Sequence, residues 1–111
     1  MDVNIKGFQD LCDGDPERLR ELVELYLTQT TEQMLQLEKG IQTHSASTVS
    51  RIAHSIAGAN LMVGVDSPVP LLRQLEHCGE QGEMTEARAI FEELDGQFKA
   101  MCIRLKEMIP K

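Results

Sequence analysis

MTEARAIFEELDGQFKAMCIRLKEM, residues 84–108, decides the fold. Its apolar residues Met84, Ala87, Phe91, Leu94, Phe98, Met101, Leu105 and Met108 are spaced 3, 4, 3, 4, 3, 4 and 3 apart, the packing seam of a helix in an antiparallel bundle. Met and Phe on such a seam are core residues. No His or Cys on the inward arc offers an axial ligand to a cofactor.

Glycine and proline divide the rest of the chain into further helices. A short helix near Val3 to Cys12 ends at DGD, after which Asp15 can cap and Pro16 can start a long helix to about Lys39, closed by Gly40. Ser45 or Ser47 can cap a third helix that runs to about Met62 before Gly64 releases it. Asp66 to Pro68 opens a fourth, with Ser67 capping and an end near Gly79 to Gly82. With one Tyr, no Trp and no alternating β-branched run, strands are not expected. The expected fold is all-α: an antiparallel up-down-up-down four-helix bundle, with the short first helix across one end.

Length and charge bound the function. At 111 residues and 41% hydrophobic content, the chain suits a single domain spanning 1–111. No apolar run approaches the roughly 20 residues of a membrane span, and MDVNIKGFQD lacks an apolar leader core, so a cytoplasmic protein without membrane insertion is expected. Cys12, Cys78 and Cys102 are odd in number and widely spaced, which fits reduced packing cysteines rather than disulfides or zinc. Eighteen Asp and Glu against 11 Lys and Arg leave no basic stripe for nucleic acid. A largely charged exterior makes a monomer the default. No Gly-rich phosphate loop or GxGxxG is present, so nucleotide binding has no basis in the sequence.

The chemistry points to RIAHSIAGANLMVG, residues 51–64. At about 100° per residue, Val49, Ile52, Ala53, Ile56, Ala59 and Val63 share one arc, and His54 lies roughly 160° from its centre. The same outer face carries Ser47, Ser50, Arg51, Ala57, Gly58 and Leu61. Side chains three and four places later would cover the imidazole, and at Ala57 and Gly58 they amount to a methyl group and a hydrogen. Gly58 costs its helix about 1 kcal/mol, which close approach by another surface would explain, as would packing of a neighbouring helix. Leu61 suits either a docking contact or packing beneath the next connection.

Residues 39–65 contain no carboxylate, although the chain's net charge is −7. Carboxylate-free surroundings suit a neutral histidine that attacks phosphorus and then holds a dianion. Arg51, at i−3, is within reach of that group. With no nucleotide site, the phosphoryl group would have to come from another protein. His44 and His77 have no second ligand at chelating spacing, so no metal site is expected.

AHSIAGANLMVG, residues 53–64, resembles the signature of histidine-containing phosphotransfer (HPt) domains. GDPERLRELVELYL (14–27) is similar to that family's second-helix opening, and LLRQLE (71–76) to its fourth helix. The resemblance implies that His54 is the phosphoacceptor of a two-component phosphorelay. A receiver-domain aspartyl phosphate would donate to it, a second receiver would accept, and a hybrid sensor histidine kinase would feed the relay. It further implies a phosphoryl carrier rather than an autonomous enzyme, with no cofactor of its own and Mg²⁺ on the receiver. The family's usual Lys three residues after the histidine is Ala57 here. Arg51, Arg73 and Gln74 are the candidates to contact the phosphoryl group in its place, and Ser50, Ala57, Gly58 and Leu61 the candidates for receiver access and docking. Two other readings stay open: a receiver-binding adaptor that does not transfer phosphate, and a helical bundle whose histidine is incidental.

Overall fold

The computed structural model describes residues 5–109 as five helices: α1 (Lys6–Leu11), α2 (Pro16–Gln42), α3 (Ala46–Val63), α4 (Val69–Gln81) and α5 (Met84–Met108). No strand occurs among the described residues. The expected start of the first helix at Val3 lies outside them. Neighbouring long helices pack as α2 on α3, α3 on α4, α4 on α5 and α5 on α2, with α3 against α4 the most extensive contact and α2 against α5 the least. The 27-residue α2 spans about 40 Å at 1.5 Å per residue, most of the molecule's 43 Å long axis.

The seam of α5 is buried from Met84 through Leu105, with Met108 half-buried at its end. These residues meet the inward faces of α2 and α4, including Val23, Leu37, Leu72 and Leu75. One polar pair crosses this core. The Tyr26 hydroxyl donates to the Asn60 side-chain oxygen, and Asn60 Nδ2 donates to the Ile56 carbonyl at 3.0 Å, so both buried groups are satisfied. Phe8 of α1 closes the end of the core edge-on against Tyr26, its ring centroid 5.4 Å away.

Several boundaries follow the punctuation. Asp15 caps α2 by accepting from the backbone N–H groups of Glu17 and Arg18, and Gly64 and Gly82 end α3 and α4 in the left-handed conformation at φ 77° and 72°. Gly40, however, does not close α2. The helix continues to Gln42, with Thr43 as its C-cap, and Gly40 is a buried contact point instead. A Cβ there would lie 3.0 Å from Thr48 Cγ2, so the missing side chain admits the first turn of α3. Ser67 is not the cap of α4 either: Pro68 is, without a side-chain capping bond.

Ala57 also departs from its expected place. It is fully buried rather than on the outer face. The buried residues of α3 run from Ile52 round to Ala57, an arc of about 140°, whereas the expected arc runs from Ala59 to Ala53, about 120°. The extra width comes from α4, which approaches α3 closely at Gly79.

Candidate functional site

α3 presents His54 to solvent with its side chain 66% exposed, and α4 brings two charged partners to it. Arg73 and Glu76 are three residues apart on α4, on one face of that helix. Glu76 Oε2 lies 2.9 Å from His54 Nδ1, Arg73 Nη1 lies 3.0 Å from Glu76 Oε1, and Arg73 Nη1 is 3.3 Å from His54 Nδ1.

These three distances assign the tautomer. An ionised carboxylate only accepts hydrogen bonds, so the short contact requires the proton on Nδ1, donating to Oε2. Arg73 then has no lone pair to address at Nδ1, and its hydrogen bond goes to Oε1. The Nε2 lone pair is left facing away from both partners. Partial burial alone would raise the Glu76 carboxyl, but hydrogen bonds from Arg73 and His54, and their charges, outweigh it and hold the group below its ordinary value.

A pH-dependent stability follows. Because folding lowers the Glu76 value, its contribution is fully present above the ordinary carboxyl value of 4.5 and disappears as pH falls through the lowered one. Glu76→Gln is therefore expected to be less stable than the wild type near neutral pH and to converge with it on acidification. Urea midpoints measured across that range check this, and a gap that does not close would reject the ionised pair.

The other anticipated residues are placed differently. Arg51 does not join this cluster. It lines a cavity of about 420 Å³ between α2 and α3, together with Lys39. Gln74 is exposed on α4 and is not among the hydrogen-bond partners of His54. Ser50 is half-buried, its backbone nitrogen directly under Gly79 of α4. Ala57 is fully buried and presents no surface beside His54. Gly58 is exposed, and a Cβ there would meet nothing within 4 Å. Leu61 and Met62 are 49% and 73% exposed near the C-terminal end of α3. On the opposite flank, Gln33 Nε2 donates to Ser55 Oγ at 2.8 Å and ties α2 to α3.

Glu76 went unrecognised in the sequence. The carboxylate gap of residues 39–65 is real along the chain but closed in space by α4, one helix away. An i, i+3 Arg–Glu pair was the available signal, but such pairs are common on solvated helix faces.

One cluster offers ligands for a metal among the described residues: Cys78, Glu83 and Glu86, whose ligand atoms lie within 4.8 Å of one another at the α4–α5 turn. Burial, then the Glu86 and Glu83 carboxylates, push the Cys78 thiol up, away from the thiolate that a metal would take. His44, in the α2–α3 turn at φ 54°, and His77 are exposed and belong to no such cluster.

A search of curated proteins finds no match. Among solved structures, the chain is similar to the crystal structure of histidine-containing phosphotransfer protein B (HptB) from Pseudomonas aeruginosa PAO1, at 20% sequence identity and a TM-score of 0.85, over 95% of this chain and 91% of that one. That likeness concerns the fold. The family model described as Hpt domain matches residues 21–108, a span that holds α3 with His54 and α4 with Arg73 and Glu76. The chain belongs to the Hpt domain family.

Proposed function

We propose that His54 carries a phosphoryl group between receiver domains, taking it from the aspartyl phosphate of one and passing it to the aspartate of another. The observation that carries this reading is an exposed imidazole whose Nδ1 is engaged by Glu76 and whose Nε2 is free. Nε2 attacks phosphorus in line, the N–P bond forms as the acyl phosphate P–O bond breaks, and the receiver carboxylate departs. Nδ1 keeps its proton throughout, so positive charge develops on the ring, and Glu76, 2.9 Å away, is fixed where that charge appears. Arg73 shares the Glu76 carboxylate and is the cation brought to the imidazole, 3.3 Å from Nδ1; its side chain would have to swing past the ring edge to meet phosphoryl oxygens on Nε2, in the role that the family's usual Lys would fill at Ala57.

Mg²⁺ and most of the charge stabilisation belong to the receiver, and a hybrid sensor histidine kinase supplies the relay. The protein works as a cytoplasmic single-domain carrier. Its four long helices run up-down-up-down with α1 across one end, a topology supported by the short connections and the ring of contacts from α2 to α5. No described helix is long and apolar enough to cross a membrane.

The test is incubation with a ³²P-labelled receiver. Acid-labile, alkali-stable label is expected on the wild type and none on His54→Gln. Receiver binding without labelling of the wild type would instead make the protein an adaptor, and absence of both would leave the histidine incidental.

A further inference from the structure

The Lys39 and Arg51 side chains form no hydrogen bond or ion pair, as is also true of Arg88 and Lys106 on α5, whereas Arg18, Arg73, Lys99 and Arg104 are each paired with a carboxylate. They line one cavity of about 420 Å³ between α2 and α3, whose other polar groups, Gln36, Thr43, Ser45 and Thr48, are all uncharged. Lys39 and Arg51 also belong to the 39–65 stretch that has no Asp or Glu. In a chain of net charge −7 this is a local break in a negative surface.

Its position names the occupant. Arg51 precedes His54 by one turn, about 4.5 Å along α3. A specific protein interface covers about 800 Å² on each partner, equivalent to a disc of roughly 16 Å radius. A module seated over His54 therefore covers the mouth of this cavity as well. A module that presents an aspartyl phosphate and holds Mg²⁺ needs carboxylates around its own reacting group, so its approaching face is acidic.

We infer that Lys39 and Arg51 are the electrostatic docking patch for the acidic rim of the receiver's active face, orienting it over the α2–α3 side of His54. This rests on the phosphotransfer reading above. The bulk of the surface repels an acidic partner, and the patch admits it at one place. Exposed opposite charges of this kind act mainly on the association rate, and salt screens them.

The test is stopped-flow association with a Mg²⁺-loaded receiver domain that phosphorylates the wild type. Lys39→Glu/Arg51→Glu is expected to slow association about tenfold at low ionic strength, with the gap closing near about 0.5 M salt and dissociation little altered. Arg88→Glu/Lys106→Glu makes the same change in net charge on α5, whose main contacts are with α2 and α4 rather than α3, and is expected to have a much smaller effect. Equal slowing in both variants, or none in the first, overturns the patch. Competition by inorganic phosphate at constant ionic strength, with unchanged association in the first variant, assigns the cavity to a free anion and also overturns it. Labelling of the wild type by phosphoramidate needs no receiver and reports on His54 alone. Its absence strikes at the phosphotransfer reading, whereas labelling with unaltered association strikes only at the patch.

Discussion

Gly58→Glu is expected to stay folded and to lose receiver-dependent phosphorylation by about two orders of magnitude. The first half follows from space and backbone: a Cβ at Gly58 meets nothing within 4 Å, and the residue lies inside α3. Replacing glycine in a helix interior gains roughly 0.5–1 kcal/mol. The thermal midpoint should therefore hold or rise by a few degrees. The second half follows from position. Residue 58 is one turn after His54, so the new side chain sets a negative charge beside the imidazole, where both the phosphoryl group and an acidic partner must come. An unpaired charge buried at the centre of an interface costs about 2–5 kcal/mol, and each 1.36 kcal/mol is tenfold in rate. Gly58→Ala should keep most of the transfer, which separates bulk and charge from loss of glycine. A folded Gly58→Glu protein phosphorylated at the wild-type rate would falsify docking on this face.

Gly79→Ala should do the reverse, damaging the fold first. A Cβ at Gly79 would lie 2.5 Å from the backbone nitrogen of Ser50 and 2.7 Å from the carbonyl oxygen of Ala46. Neither atom can rotate away, so α3 and α4 must separate along their most extensive contact. Overpacking of this kind costs about 1–3 kcal/mol, more than the roughly 1 kcal/mol by which alanine is the better helix former. The difference is a net destabilisation of up to about 2 kcal/mol, which would lower the thermal midpoint by up to roughly 8–15 °C. Function suffers as well, because Gly79 is one turn beyond Glu76 and the separation lengthens the contact between Glu76 and His54. Calorimetry decides the matter: an unchanged midpoint would mean that the two helices do not approach so closely. Gly40→Ala is a useful comparison. Its nearest neighbour is the Thr48 methyl at 3.0 Å, a side-chain atom that can shift, so a smaller loss is expected.

These three glycines also mark how far the linear chain can be read. All sit inside helices, yet one faces open solvent, one faces a methyl group and one faces backbone. Glycine in a helical pattern signals an exception without saying which kind. Gly40 accordingly reads as a helix end, when what it provides is room for α3. The pairing of His54 with Glu76 was hidden for a related reason. Glu76 faces His54 only because α4 crosses α3 at the spacing that Gly79 permits, and local periodicity carries no crossing angle. Arg51 and Arg73 illustrate the same limit. Both were candidates to stand beside the phosphoryl group, and the crossing brings Arg73 to the imidazole while Arg51 opens toward α2.

The sequence by itself determined the helices, the buried seam of α5, the caps at Asp15 and Gly64, the end of α4 within Gly79 to Gly82, and the exposure of His54, because each depends on residues within a few turns of one another. Only the tertiary structure decided which charges surround that histidine. Electrostatic partners are set by distance in space, and here the decisive carboxylate arrives from a different helix, into a stretch of chain that contains none of its own.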